Sequence, residues 1–232
     1  MSYNRENGRK LDELRPISAK VGVIPNADGS AMFQIGNTKA YAAVYGPREL
    51  YPRFLQNPSK GILRVNYNMM PFAGHGDRVR PGPNRRSKEI SLVAAKALAP
   101  VVDLSQFPNA VVDVFIELPQ TDAGTRCAGI CAASMALADA GLPMRDLVAS
   151  MSMGYMDGSI VADIDAHEDC DLGATDIPVA FLPNSNKLTL MQMDGKISQP
   201  ELKKLLDVGL QMCKKINAVQ VKALKAKYEV QK

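Results

Sequence analysis

Four carboxylates fall within nine residues of the stretch "HEDCDLGATDIPVAF": Glu168, Asp169, Asp171 and Asp176. Asp176 leads straight into an apolar, strand-like run, and Asp169 follows the strand-like "SIVADID". Two aspartates held at neighbouring strand ends could bind Mg²⁺ or Mn²⁺, which take a few hard oxygens and complete their shell with water and phosphate. The same spacing also suits a solvated acidic turn that holds nothing.

Three cations stand where local electrostatics disfavours them. Arg85 and Arg86 lie at the start of a helix expected near Ser87, and Arg126 lies at the start of one expected near Thr125, so all three face the positive end of a helix dipole. A bound anion reverses that sign, because helix N-terminal amides and a guanidinium fork together match phosphate oxygens. In "DAGTR", Gly124 lets backbone amides approach a ligand, and the Thr125 hydroxyl can donate to it or simply cap the helix. Ordinary solvated arginines are the plain alternative.

The elements that must position these groups read as α+β. Alternating segments "KVGVIP", "AMFQIG", "KAYAAVYG" and "ILRVNYNMMPF" form an antiparallel hairpin system. A helix with Ile90, Val93, Ala94, Ala97 and Leu98 on one face follows, then the apolar strand "AVVDVFIEL". "TRCAGICAASMALADAG" is a small-residue helix ended by Gly141. Further strands precede a long C-terminal helix opened by a Ser198–Glu201 capping box. The expected order is ββββ-α-β-α-ββββ-α in one domain spanning residues 1–232, without the strict alternation of a doubly wound sheet.

With 232 residues, 46% of them apolar, the chain can build a sizeable core. Its longest nearly uncharged apolar stretches are about a dozen residues, too short for a bilayer span, and its charged N-terminus lacks a signal-like apolar run, so a cytoplasmic location and no membrane partner are expected. The four cysteines form no C-x-x-C pair and read as reduced core thiols. His75 and His167 stand alone and receive no role. The net charge of +4 is too small to establish nucleic-acid binding, but "RVRPGPNRRSK" concentrates five cations without an acid. Walker, G-x-G-x-x-G, G-x-S-x-G and zinc-ligand patterns are absent.

In order and wording, "GRKLDELRPI", "NADGSAMFQIGNTKAYAAVYGPRE", "RVNYNMMPF", "RRSKEIS", "VVDVFIELPQTDAGTR", "ALADAGLPMRDLV" and "EDCDLGATDIPVAFLP" resemble the RNase PH family over almost the whole chain. Within it, they are most similar to catalytic ring subunits of the archaeal exosome. The resemblance implies a ribosomal protein S5 domain 2-like fold with mixed and antiparallel sheets. It also implies a hexameric ring, a trimer of heterodimers with a non-catalytic paralogous subunit, capped by RNA-binding subunits. The activity implied is phosphate-dependent 3′-to-5′ degradation of RNA to nucleoside diphosphates, with inorganic phosphate as co-substrate and 3′ tailing as the reverse reaction.

Carried over residue by residue, the resemblance makes Arg86, Gly124, Thr125 and Arg126 phosphate-binding. Arg64, Arg85 and Arg86 become RNA-binding, and Asp169 and Asp176 become catalytic and metal-binding. The family's acidic motif, E-D-x-x-G-x-A-D, is one residue longer here. Counting from the left selects Asp169, whereas Asp171 is a contender for the same role. A bulge over residues 170–172 could absorb the extra position. A ring subunit that keeps the fold but has lost activity through this insertion is the alternative reading. Asn66 and Asn7 also stand where relatives often carry arginine and aspartate.

Overall fold

A computed structural model describes residues 3–74, 76 and 78–229. His75 lies outside the described residues. The elements follow the expected order: strands β1 (Ile17–Val21), β2 (Gly29–Ile35), β3 (Thr38–Glu49) and β4 (Ile62–Met69), helix α1 (Arg85–Leu98), β5 (Ala110–Gln120) and helix α2 (Thr125–Asp139). Then come β6 (Ala149–Met156), β7 (Ser159–Ala162), β8 (Thr175–Leu182), β9 (Lys187–Met191) and helix α3 (Gln199–Tyr228).

The strands form a five-stranded sheet of order β1-β2-β3-β5-β4 and a four-stranded sheet of order β7-β6-β8-β9. The first departs from a simple hairpin system, because β5 inserts between β3 and β4 and pairs with β4 in parallel. Burial explains the placement. Val112, Val114, Ile116 and Leu118 are almost inaccessible, so β5 needs neighbours on both edges, and the α1 crossover is the connection that a parallel pair requires.

Helix α2 is apolar on all sides and lies between the sheets, touching β2, β3 and β5 on one side and β6 and β8 on the other. Its side chains join those of both sheets in one continuous core. Close approach is possible because a Cβ on Gly29 would fall 2.2 Å from the backbone nitrogen of Ala140. Helix α1 packs on β4, α2 and β9, while α3 covers β1, β6, β7 and β8. This sandwich brings the N-termini of α1 and α2 to the start of β8.

Three of the cysteines, Cys127, Cys131 and Cys213, are buried in reduced form as expected, but Cys170 is exposed. It lies on the turn His167–Asp171, whose buried side chain is Glu168, with Asp171 and Leu172 exposed beside it.

Candidate active site

Asp169 does not sit at a strand end. Strand β7 stops at Ala162, Asp163 adopts a left-handed φ of 53°, and residues His167–Asp171 form one turn of π-helix, with the Leu172 amide bonded to the His167 carbonyl at 3.0 Å. A π-turn takes more residues than an α-turn, so it accommodates an extra position by widening the coil. Asp169 remains turned toward Asp176, the second residue of β8.

The two aspartates line an open cavity of about 590 Å³ together with Arg86, Gly124, Thr125 and Arg126. An adjoining cavity of about 400 Å³ shares Arg86, Arg126 and both aspartates, and adds Gln192 and Asp194. Burial raises the pKa of Asp169, and the charge of Asp176 raises it further, against the lowering pull of Arg86 and Arg126. Burial likewise raises Asp176, opposed by a hydrogen bond from the Ser152 hydroxyl and by the same arginines. Two carboxylates are thus held partly out of water beside two fixed cations, an arrangement that favours proton sharing or a bound cation.

The two helix N-termini are not equivalent. Helix α1 starts at Arg85, and Asn84 caps it: its Oδ1 accepts from the Ser87 amide at 2.7 Å, and the Ser87 hydroxyl accepts from the Asn84 amide at 2.9 Å. Helix α2 starts at Thr125, and its cap is Gly124, left-handed at φ 62°, which has no side chain to offer. Thr125 is therefore the first helical residue and not the cap. The first-turn amides of α2 receive no capping side chain, and the residues that carry them line the cavity, an arrangement suited to an anion.

Ala123 precedes that glycine with φ 51°, a conformation costing about 1–2 kcal/mol for a residue with a Cβ. Thr38 holds the turn in place, donating its hydroxyl to the Ala123 carbonyl at 2.6 Å and accepting from the Asp122 amide at 2.8 Å.

Arg126 Nη1 donates to Gln192 Oε1 at 2.6 Å, and Gln192 Nε2 donates to Glu89 at 3.2 Å. The chain of bonds leaves the rest of the guanidinium fork for the cavity. Neither Gln192 nor Asp194 carries a sequence signal, since both follow β9 outside any motif. The Asp194 amide bonds to the Asp176 carbonyl at 2.9 Å, which sets Asp194 on the wall of the smaller cavity.

Other expected site residues are placed differently. Arg64 is half exposed on β4 and forms a forked pair with Asp113, its register partner on β5, away from both cavities. Arg85 is exposed and lines neither cavity, because the first two residues of α1 project about 100° apart. Asp171 borders the larger cavity, but its carboxylate bonds to His167 Nδ1 at 2.7 Å, and His167 Nε2 lies 3.2 Å from Glu6. These two carboxylates raise the pKa of His167. Cys127 also lines the cavity, yet burial pushes its thiol up to about 12, so it is no nucleophile.

The N-terminal segment fastens the acidic turn. Arg5, buried, donates Nε and Nη2 to the two oxygens of buried Glu168 at 2.8 and 2.6 Å. Asn7 donates to Asp165 at 2.7 Å. An aspartate at position 7 would meet Asp165 as a like charge, so the amide suits this loop.

Residues 13–143 match domain 1 of the RNase PH, or 3′ exoribonuclease, family, and residues 146–212 match its domain 2. The chain belongs to the RNase PH family of 3′ exoribonucleases. It is 52% identical to the exosome complex component Rrp41 of Pyrococcus furiosus over 96% of this chain and 90% of that protein. To the Rrp41 component of Nitrosopumilus maritimus it is 46% identical, over 97% of this chain and 91% of that one. Among solved structures, rice Rrp46 superposes with a TM-score of 0.84 at 23% identity, covering 95% of this chain and all of that one. A chain of the Archaeoglobus fulgidus exosome, solved with RNA bound to the active site, superposes with a TM-score of 0.79 at 26% identity, covering 97% and 92%. The α+β RNase PH fold and the exoribonuclease class therefore stand as read from the sequence. Among the described residues, no helix is long and apolar enough to cross a membrane.

Proposed function

We propose that the chain is the catalytic subunit of an archaeal-type exosome ring and shortens single-stranded RNA from its 3′ end by phosphorolysis. The carrying observation is a single cavity with Asp169 and Asp176 on one side and Arg86, Arg126 and the uncapped N-terminus of α2 on the other. Phosphoryl transfer depends on positioning and charge neutralisation more than on a strong base.

Arg126, Arg86 and the α2 amides hold inorganic phosphate. One of its oxygens attacks the phosphorus of the terminal phosphodiester, the bond from phosphorus to the 3′ oxygen of the preceding nucleotide breaks, and that oxygen takes a proton. The products are a nucleoside 5′-diphosphate and an RNA one nucleotide shorter. The same site runs in reverse when diphosphates are in excess. Burial raises the pKa of Asp176, which makes it a better proton carrier than an exposed carboxylate.

Among the described residues, no three metal-ligating side chains converge. Asp169 and Asp176 suit Mg²⁺ or Mn²⁺ in the way such ions are often held, by two carboxylates completed with substrate phosphate oxygens and water. The ion would neutralise charge on the reacting phosphates.

Ring assembly with a non-catalytic paralogous subunit and RNA-binding caps, in the cytoplasm, belongs to the same proposal. The names of the Rrp41 relatives, exosome complex components, support its membership of such a complex. So does β9, at the edge of its sheet, with Leu188 and Met191 on it and Met193 just beyond it substantially exposed. Arg64 and Arg85, outside the cavities, would then meet RNA farther from its end.

The test is 3′-labelled RNA supplied to the assembled complex. Nucleoside diphosphates should appear only when phosphate is added, and Asp176→Asn should abolish release while RNA affinity stays within about twofold. Monophosphate release without phosphate would refute the proposal.

A further inference from the structure

We propose that Arg15 is a positioning residue that sets the spacing between the phosphate-binding turn and the aspartate turn. The inference rests on the phosphorolytic reading above. Arg15 precedes β1 and is 7% exposed. Its Nε and Nη2 donate to Oδ2 and Oδ1 of Asp163 at 2.9 and 2.7 Å, and its own amide donates to Asp163 Oδ2 at 2.8 Å. Its remaining nitrogen, Nη1, donates to the Asp122 carbonyl at 2.5 Å.

Those two partners belong to the two halves of the site. Asp163 ends the β7 region and leads into the π-turn that carries Asp169. Asp122 opens the left-handed pair Ala123 and Gly124, which presents the uncapped amides of α2. The halves also touch directly, through the Ala166 amide and Asp122 Oδ1 at 3.1 Å. One planar guanidinium therefore bridges them with both edges in use, a geometry that lysine cannot copy.

The path of the side chain is reserved for it. A Cβ on Gly36 would fall 2.5 Å from Arg15 Cδ. The guanidinium spends its bonds on Asp163, Asp122 and Ile164, so Arg15 acts through the turns and not on the reactants. Since a displacement near 1 Å costs about 10²-fold in rate, the bridge governs catalysis without contacting it.

The test compares Arg15→Lys with the parent in the full-length protein in its native assembly. It measures kcat, KM for phosphate, RNA affinity and, by calorimetry, binding of inorganic phosphate. The expected result is a fall of about 10²-fold in kcat/KM for phosphate and weakened phosphate binding, with RNA affinity within about twofold. Lys227→Met serves as the control, because Lys227 pairs with buried Asp139 at 2.6 Å far from both turns. It should lower the Tm yet leave kcat/KM unchanged at the assay temperature.

Equal kinetic losses in Arg15→Lys and Lys227→Met would reduce Arg15 to a general structural role and overturn the inference. If Arg15→Lys does not assemble, Asp163→Asn decides: it takes one acceptor oxygen from the Arg15 fork and should raise KM for phosphate about tenfold, and no change would overturn the inference. An active parent with an unaffected Arg15→Lys overturns the bridge and leaves phosphorolysis standing. A parent without phosphorolysis whose phosphate binding is nevertheless weakened by Arg15→Lys keeps the bridge and sinks the phosphorolytic reading.

Discussion

Replacing Arg5 by methionine tests how firmly the N-terminal segment holds the acidic turn. The Arg5 side chain is wholly inaccessible and that of its partner Glu168 is 3% exposed. Arg5 also donates to the carbonyls of Ala162 and Asp163 at 2.8 and 2.9 Å. Without the guanidinium, Glu168 keeps only weaker company: the Asp165 amide at 3.1 Å, the Tyr3 hydroxyl at 3.4 Å and Arg9 at 3.7 Å. Removing one partner of a buried ion pair costs about 3–5 kcal/mol, and these residual contacts place the loss near the lower end. For a chain of this size, about 3 kcal/mol lowers the Tm by roughly 6–12 °C.

Urea unfolding and calorimetry should report that loss for Arg5→Met and a similar one for Glu168→Met. The double variant should lose less than the sum of the two, with a coupling of at least about 2 kcal/mol, because an apolar pair replaces the ion pair without leaving a lone charge. Additive effects, or single losses below about 1 kcal/mol, would refute the reasoning. Since Glu168 adjoins Asp169, kcat should fall with stability in both single variants.

Asp169→Asn should cut diphosphate release by roughly 10²–10⁴-fold, whereas Asp171→Asn, whose carboxylate only faces His167, should stay within about threefold; the reverse order in a phosphorolysis assay would reassign the site. The raised carboxyl pKa of Asp176 means that the stability it contributes is present below its unfolded value near 4 and lost as pH rises through the folded value. Asp176→Asn escapes that loss, so its Tm should exceed the parent's at neutral pH, with the gap closing toward pH 4 in paired melts. Gln192→Leu, which frees Arg126, should raise KM for phosphate about tenfold in steady-state kinetics and leave the Tm nearly unchanged.

Sequence periodicity and charge placement were enough for the order of elements, for the small-residue helix α2, and for marking Arg86, Arg126, Asp169 and Asp176 as separate candidates, which the family resemblance then joined in one chemistry. These are local properties: apolar spacing, a glycine before a helix, and charge set against a helix dipole. Four other features came only from the tertiary structure. β5 entered between β3 and β4 because its burial demanded neighbours on both edges. Residues His167–Asp171 form a π-turn, whose wide coil suits the extra position that the resemblance implies there and which a linear count of positions cannot distinguish from a bulge. Gln192 and Asp194 joined the site from the far side of β9. Arg5 and Arg15 reached partners 163 and 148 residues away. Long-range pairing leaves no periodic trace in a sequence, because it depends on which surfaces the folded layers bring together.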